Sequence, residues 1–472
     1  MKKIIIGSLW MVLHVTATAQ SKKLTLQQCL ETALNNNLQV NQSNLQMQSA
    51  QVNWQQARAN MLPNIAGSIN YGANQGRSID PFTNTYINQQ LNFSNLNVDG
   101  NIPLFNGFQL QNQVKQNNLA FQATKMEFQQ AKDNLTLNVI LSYLLVLNNE
   151  DVLDLAKAQM EVTKKQVERL DLLNKEGAIA PYTFTDLKGQ YASDEVSVTN
   201  AQNSVQSSKL TLAQLMNVPY DESAELERIN VNEALALYEG SPDKIYEEAT
   251  AKLGIVKAAD LRKQSAEKGI KVARGGYSPT LSLFGGLGTS YSSAASLSSL
   301  VSESYGASDS YVTVNGTNYQ LNVKQQTFKN EPFGLSKQYN NNQYTNFGVA
   351  LRVPIANNLR ARNQVKLAQI TYKNTQLISD NTKIQLRQNI EQAHFNMTAA
   401  YNRYQSFQNQ VTALEESFKA AEVRFENGVI NSVEYLQVKN NLDRARLNLT
   451  QSKYEYVLRT KVLDYYQGKL SW

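Results

Sequence analysis

The chain has 472 residues, 18% of them charged, and a formal net charge of +6 that is spread along the sequence. Because the basic residues form no patch or stripe, the charge does not indicate nucleic-acid binding. Two histidines and one cysteine cannot supply histidine-based catalytic triads, thiol–imidazole dyads or zinc clusters of His and Cys. Neither common type of glycine-rich phosphate-binding loop is present. We therefore expect a protein that is not an enzyme and that holds no cofactor and no metal.

The N-terminus resembles a secretory signal peptide. Lys2-Lys3 precede an apolar run from Ile4 to Val15, and Ala17-Thr18-Ala19 has the small residues of a cleavage site. The apolar run has twelve residues, whereas a membrane-spanning helix needs about 20. We therefore predict a signal peptide at residues 1–19 rather than a retained membrane anchor.

Four segments alternate between apolar and polar residues, which is the period of a β-strand with one apolar face. Each alternation lasts about nine to eleven residues, the length of a tilted strand that crosses a bilayer. We predict transmembrane strands at about residues 64–72, 91–105, 280–288 and 346–356. Asp99 and Arg352 fall on the polar faces of these strands, where they either face a barrel lumen and tune passage or are simply solvated.

The polar segments between the strands of each pair differ in length. Pro63 and Pro279 are 216 residues apart, whereas Pro103 and Pro354 are 251 residues apart, so the second segment contains 35 extra residues. This second segment, residues 289–344, is rich in Ser, Gly, Asn and Tyr. We predict a long exposed loop there, because loop tips tolerate insertions.

The remaining sequence has helical periodicity. The clearest run spaces apolar residues three and four apart over five heptads, which is typical of the a/d seam of a long packed helix. Its members are Ile390, Ala393, Met397, Ala400, Tyr404, Phe407, Val411, Leu414, Phe418, Ala421 and Phe425. The 71 residues from Asn106 to Glu176 would form a continuous helix of about 105 Å at about 1.5 Å per residue.

The sequence contains an internal duplication. The segment 102–106 (IPLFN) recurs as 353–357 (VPIAN) after 251 residues, and Gly177 and Gly428 have the same separation. A fixed separation with so little identity indicates that the length of each copy is constrained. We predict a first repeat at residues 20–216, an inter-repeat linker at 217–243 and a second repeat at 244–472.

Each of these two glycines predicts a turn between helices, since glycine is the expected residue just after a helix C-terminus. A capping-box pattern follows each turn and predicts the start of a return helix. The first pattern pairs Thr183 with Asp186, and the second pairs Asn431 with Glu434.

The predicted strands need partners that one chain does not supply. Unpaired backbone groups in lipid cost several kcal/mol each, so strands in a bilayer form closed barrels, which need about eight strands or more. Two chains would contribute eight strands and three would contribute twelve. We therefore expect several copies to share one barrel that continues into a helical tube.

The chain resembles the TolC family of outer-membrane efflux and secretion channels over essentially the whole mature sequence. The resemblance rests on four features: the helix segment of residues 24–34 that precedes Asn35-Asn36-Asn37, the strand entry at Leu62-Pro63, the segment of residues 103–107 (PLFNG), and the two glycine turns. The first helix is similar to the Bacteroidetes-type branch of the family. The resemblance implies an all-α fold with a membrane β part: a duplicated long-helix α-barrel, plus four transmembrane strands per chain in a trimeric 12-stranded barrel.

The resemblance also implies a function and partners. It implies a homotrimer in outer-membrane lipid that extends into the periplasm as a passive exit duct of a tripartite efflux or type I secretion system. A periplasmic adaptor (membrane fusion) protein would link its tip to an inner-membrane RND or ABC-type pump. The alternative is a secreted coiled-coil scaffold or adhesin without a pore, although such a protein has no use for four bilayer-length strands.

The family assigns roles to residues near the two turns. Its turn residues contact the adaptor, and the corresponding tip residues here are Glu176, Gly177, Ala178, Asn427, Gly428 and Val429. Its constriction uses two acids one turn apart on the second return helix, and these positions are Glu434 and Gln437 here. The acidic position of the first copy is Thr183, with Asp186 three residues further on. These four residues are the gate or pore candidates, and Glu434 has the alternative role of capping the helix that follows Asn431.

Overall fold

The protein is described from a computed structural model, which covers residues 23–79, 84–88, 90–231 and 235–469. The predicted signal peptide lies outside the described residues. The helices are α1 (Leu26–Asn36), α2 (Leu38–Ala59), α3 (Gln109–Lys175), α4 (Pro181–Met216), α5 (Pro242–Lys252), α6 (Gly254–Gly275), α7 (Leu335–Asn341), α8 (Arg360–Glu426) and α9 (Ser432–Tyr466). The strands are β1 (Asn64–Asn74), β2 (Arg77–Ile79), β3 (Tyr86–Asn88), β4 (Leu91–Phe105), β5 (Thr280–Ser292), β6 (Ser296–Val314), β7 (Thr317–Pro332) and β8 (Tyr344–Arg352). No helix among the described residues is both long and apolar enough to span a membrane.

The chain divides into two compact units. The first contains the described residues up to Gln51, Leu119–Gln264 and the residues from Lys373 onward. The second contains Val52–Asn118 and Ser265–Tyr372.

The core of the first unit surrounds the middle of α3. Tyr143 and Leu144 are fully buried there and pack with apolar residues of α1 and of the segment 217–231. The Tyr143 hydroxyl shares its one hydrogen between two backbone oxygens, that of Leu24 at 3.0 Å and that of Glu227 at 2.7 Å. The described part of the predicted linker therefore contributes to this core.

The long helices have the length and the seam that the sequence predicts. Helices α3 and α8 both have 67 residues, which corresponds to about 100 Å each. Every position of the predicted α8 seam, from Ile390 to Phe425, is buried or half-buried. The equal helix lengths explain why the two copies keep a fixed separation in sequence.

The predicted glycine turns are confirmed by the backbone. Gly177 and Gly428 have φ angles of 69° and 70°, in the left-handed region that glycine adopts without strain. In the first turn the Ala178 amide donates to Leu173 O at 2.8 Å, and in the second the Val429 amide donates to Arg424 O at 2.8 Å. These six-to-one hydrogen bonds are Schellman caps.

One of the two predicted capping boxes is wrong. Helix α4 begins at Pro181 with Ala180 as its N-cap and has no side-chain cap, so Thr183 and Asp186 lie inside the helix. Proline suits the first helical position because its fixed φ is helical and its missing amide hydrogen would have been unpaired there. Helix α9 begins as predicted, since the Asn431 side chain accepts a hydrogen bond from the Glu434 amide at 2.9 Å.

The second unit contains an antiparallel sheet in the order β1-β4-β5-β8. Its registers place Ile65 opposite Gly100, Val98 opposite Leu287, and Leu283 opposite Val349. Because side chains alternate between faces, these pairings gather the apolar residues of all four strands on one face. Among the described residues, β1 and β8 each have a strand neighbour on one side only.

Strand β8 is shorter than predicted. The sequence predicts a strand to about residue 356, whereas β8 ends at Arg352. Pro354 has no amide hydrogen to donate to a ladder, so the strand ends before it.

The predicted long loop at residues 289–344 is also wrong, because most of it is ordered secondary structure. Strands β6 and β7 pair along their length as an antiparallel hairpin, and α7 follows. Asn315 and Gly316 close the hairpin with φ angles of 51° and 77°, the left-handed pair that favours a tight two-residue turn. The prediction relied on the Ser, Gly and Asn content and overlooked this Asn-Gly signal, which is followed by alternating apolar residues at Tyr319, Leu321 and Val323.

Candidate functional site

The two glycine turns present small, open surfaces. The six predicted docking residues, Glu176, Gly177, Ala178, Asn427, Gly428 and Val429, are all exposed. A Cβ atom added to Gly177 or Gly428 would meet nothing within 4 Å. A partner could therefore contact the backbone of both turns directly. It could also contact the side chain of Val429, which is 63% exposed.

An apolar cluster beneath the turns joins α3, α4, α8 and α9. Its buried residues are Leu170, Leu187, Ala421, Phe425, Ile430 and Tyr435. The Tyr435 ring stacks on Phe425 with ring centroids 4.5 Å apart and planes inclined by 13°. At the rim, Arg169 of α3 donates to Glu426 O of α8 at 2.9 Å. The ends of the four helices are therefore packed as one group.

The gate candidates occupy different environments. Glu434 and Gln437 are exposed on α9, and the described residues offer Glu434 no ion pair. Asp186 is half-buried and accepts a hydrogen bond from the buried Ser432 hydroxyl at 2.8 Å. Thr183 is half-buried one turn earlier on α4. The structure thus connects Asp186 to the start of α9, next to the helical turn that contains Glu434.

Sequence reasoning missed a buried charge network that lies about one turn beyond Glu434 on α9 and about two turns beyond Asp186 on α4. Lys439 of α9 is 2% exposed, and its Nζ lies 2.6 Å from Asp443 Oδ2 and 3.3 Å from Asp194 Oδ2 of α4. Thr163 of α3 donates to Asp194 at 2.5 Å, and Gln190 donates to it at 2.7 Å. Burial raises the pKa of the Asp443 carboxyl, and the Lys439 ammonium opposes that shift.

Only part of this network has a signal in the sequence. Lys439 and Asp443 are four residues apart, a spacing that pairs side chains along a helix. Asp194 lies 245 residues from Lys439 in the chain, and no local pattern connects the two. The network joins three helices, which makes it a structural feature of the region above the tip.

The sheet residues Asp99 and Arg352 lie on the face opposite the apolar one. Asp99 pairs with Gly286, and Arg352 pairs with Thr280. The apolar face of the same sheet is strongly exposed, with Ile69 at 76% and Phe347 at 86%. A contiguous exposed apolar surface of this kind marks a membrane or protein contact.

Helices α2 and α8 carry uncovered apolar seams that repeat every seven residues. The α2 seam is Leu38, Leu45 and Val52, which are 73%, 63% and 60% exposed. The α8 seam is Ile370, Leu377 and Ile384, which are 63%, 68% and 56% exposed. A seven-residue apolar repeat is the pattern by which one helix packs along another.

The contacts among the long helices leave α2 and α8 as the outer members. In the second unit, Asn117 of α3 donates to the backbone of α2, and Ser265 of α6 donates to the backbone of α3 at 2.9 Å. In the first unit, Arg262 of α6 pairs with Glu127 of α3 at 2.6 Å, and Ser379 of α8 donates to α6 at 2.7 Å. In the second unit the contacts thus run α2, α3, α6, with α2 at one end. In the first unit they run α3, α6, α8, with α8 at the other end.

Comparisons with known proteins agree on one family. The sequence model of the family described as "Outer membrane efflux protein" matches residues 29–218 and 245–466. The outer membrane protein TolC of Escherichia coli K12 is 23% identical over 334 residues, which are 70% of this chain and 60% of that protein. The alignment thus spans about three fifths of this curated relative.

Solved structures share the fold over nearly the whole chain. The outer membrane protein VceC of Vibrio cholerae superimposes with a TM-score of 0.74 at 16% identity, covering 94% of this chain and 96% of that one. The CmeC outer membrane channel of Campylobacter jejuni also gives a TM-score of 0.74 at 16% identity, covering 94% of this chain and 85% of that one. The fold is therefore that of these outer-membrane proteins, a long-helix assembly with an antiparallel β part.

Proposed function

The chain belongs to the outer membrane efflux protein family, and on this premise we propose that it is a passive exit duct that spans the outer membrane and extends into the periplasm. In this proposal, its periplasmic tip docks an adaptor (membrane fusion) protein that connects it to an inner-membrane RND or ABC-type pump. The complete assembly is a tripartite efflux or type I secretion system, in which the pump supplies the energy.

The observation that carries the proposal is the exposed apolar face of the sheet β1-β4-β5-β8. A lipid-facing sheet must pair all its backbone groups, so the open edges of β1 and β8 need a partner. The three antiparallel pairings make β1 and β8 antiparallel to each other. Strand β8 of one copy can therefore pair with β1 of the next, and three copies close a barrel of twelve strands.

The uncovered helix seams support the same trimer. Each copy has one seam on α2 and one on α8, at the two ends of its row of helices. Packing the α8 seam of one copy on the α2 seam of the next buries both and closes a ring of helices. In this assembly Asp99 and Arg352 face the barrel lumen, while the apolar strand residues face lipid.

The two copies of the duplication give this duct its repeats. We assign residues 20–216 and 244–472 to them, with residues 217–243 between them and a signal peptide at 1–19. The adaptor docks at the two turns, Glu176–Ala178 and Asn427–Val429, and the constriction lies at the nearby gate candidates. The Asp186–Ser432 hydrogen bond holds α4 against α9 and would have to break if these helices separate on opening.

Reconstitution tests the proposal directly. The protein is purified from outer membranes, its mass is measured by native mass spectrometry, and it is inserted into planar lipid bilayers. We expect a trimer that forms discrete conducting channels. A soluble periplasmic monomer, or a trimer without conductance, would instead support the secreted scaffold or adhesin.

A further inference from the structure

The four strands of the sheet β1-β4-β5-β8 contain seven glycines. Glycine weakens a strand, so each one calls for a local reason. None of the seven has a positive φ angle, so the backbone conformation does not require glycine at these positions. Three lie on the apolar face, namely Gly67, Gly100 and Gly285, and four lie on the polar face, namely Gly72, Gly286, Gly288 and Gly348.

Aromatic rings of neighbouring strands lie over two of these polar-face glycines. A Cβ atom added to Gly72 would stand 2.7 Å from Cζ of Phe93, and one added to Gly348 would stand 2.8 Å from Cζ of Phe284. Each ring belongs to the residue directly opposite its glycine in the register. Because the ring occupies the space of the missing Cβ, any larger residue at either glycine would displace it.

The other two polar-face glycines are covered in the same way. A Cβ added to Gly288 would stand 2.5 Å from the hydroxyl oxygen of Tyr344, the residue directly opposite. A Cβ added to Gly286 would stand 2.7 Å from Asp99 Oδ1 and 2.6 Å from Asn346 Oδ1. On the polar face, side chains therefore lie across the sheet wherever the opposite residue is glycine.

The apolar face shows that this arrangement is not automatic. Phe347 is directly opposite Gly285, yet no atom of its ring lies within 4 Å of the position of a Cβ on that glycine. The Phe347 side chain is 86% exposed, whereas Phe284 is 39% and Tyr344 is 52% exposed. The same kind of pair thus leaves the ring projecting on the apolar face and lying along the sheet on the polar face.

We propose that the polar-face glycines set the width of the barrel lumen, and with it the largest cargo that leaves through the outer membrane. The polar face lines the lumen of the proposed duct, so a side chain that lies along the sheet leaves the lumen open. The inference rests on the proposed function, because only a closed barrel has a lumen. Twelve strands about 4.8 Å apart and tilted by about 40° enclose roughly 24 Å between backbones.

Gly72→Val tests the proposal at the Phe93 ring. Valine suits a strand, and its side chain moves the ring off the wall in all three copies. The purified trimer is inserted into planar bilayers, and neutral polyethylene glycols are added on the outer side only, so that polymer entry reports on the barrel and not on the periplasmic tip. A lumen narrowed by roughly a third should about halve the largest polymer mass that enters, since coil size grows with about the square root of chain length.

Three further variants separate the ring from other effects of the substitution. Gly67→Val is the matched control on the apolar face of the same strand, where an added Cβ meets only Asn97 O at 3.9 Å, and it should leave the polymer cut-off unchanged. Gly72→Val combined with Phe93→Ala has no ring to displace and should return to the wild-type cut-off. Phe93→Ala alone should also match the wild type, because its ring already lies against the wall.

Several outcomes would overturn the proposal. They are a wild-type cut-off in Gly72→Val channels, a double variant that stays narrow, and a clearly wider lumen in Phe93→Ala alone. The last of these decides the matter even if Gly72→Val does not assemble. A wild-type protein that forms no channels would contradict the duct itself, whereas channels whose cut-off ignores these substitutions would contradict only the role of the glycines.

Discussion

Removing the Lys439 ammonium is predicted to destabilise the helices strongly. Lys439→Met leaves Asp194 and Asp443 buried and close to each other without their shared counter-charge. Breaking one side of a buried ion pair typically costs about 3–5 kcal/mol. The exposed pair Lys175–Asp171, at 2.6 Å with the Lys175 side chain 67% exposed, supplies the control, and Lys175→Met should cost about 0.5 kcal/mol or less.

The assay is the thermal loss of helical circular dichroism in purified trimers, with the two variants measured in the same lipid environment. Lys439→Met should lower the unfolding midpoint clearly, and Lys175→Met should leave it near the wild-type value. Equal and small shifts in the two variants would refute the reasoning, because they would mean that water reaches Lys439 in the folded protein.

The same variant has a predictable pH dependence. Burial raises the folded-state pKa of Asp443 above its unfolded value. The stability that the Asp443 carboxyl contributes is therefore fully present below the unfolded pKa, about 4. That stability is lost as the pH rises through the folded-state pKa. Without Lys439 the folded pKa rises further, so the deficit of Lys439→Met relative to wild type should shrink between pH 8 and pH 5. Adding Asp443→Asn removes one of the two carboxylates and should reduce that pH dependence. A deficit that grows on acidification would contradict the assigned sign.

Three further predictions concern the tip and the subunit contact. Gly428→Ala should destabilise by about 1–2 kcal/mol, because the added Cβ meets no atom but the backbone has φ of 70°. The control is Gly189→Ala, inside α4 and equally open, which should stabilise by about 0.5–1 kcal/mol in the same melt. If three copies of Glu434 form a charged ring, Glu434→Gln should lower the cation preference of single channels. Unchanged selectivity would mean that Glu434 acts only as an acidic residue in the first turn of α9. Leu377→Asp on the α8 seam should dissociate the trimer in mass photometry, while Leu172→Asp, at a similar exposure of 65%, should not; intact trimers in both would contradict the seam contact.

Sequence periodicity predicted the features that are decided locally. The α8 seam from Ile390 to Phe425 is visible in the chain because a buried helical stripe repeats every three or four residues. The turns at Gly177 and Gly428 are visible because few other residues adopt a left-handed conformation without strain. The two faces of each strand were also predictable, because apolar and polar residues alternate along it. This alternation placed Asp99 and Arg352 on the polar side of the sheet.

Features that depend on distant residues were not predictable in this way. The pairing of Lys439 with Asp194 needs α4 and α9 to meet. Two errors were local and avoidable. Pro181 was the better start signal for α4 than Thr183, and Asn315-Gly316 indicated a hairpin where composition alone suggested a loop.

The central claim is that copies of this chain close one sheet by pairing β8 with β1, and disulfide cross-linking tests it most directly. Ser68→Cys on β1 is combined in turn with a cysteine at Asn346, Gly348 or Ala350 on β8, since these positions share the polar face. The native Cys29 is fully buried and its thiol pKa is raised to about 11, so it contributes little background. Paired strands bring Cα atoms within the roughly 4.4–6.8 Å that a disulfide needs. We predict that one combination yields a covalent trimer and nothing larger in intact outer membranes, whereas monomers at every position would contradict the account.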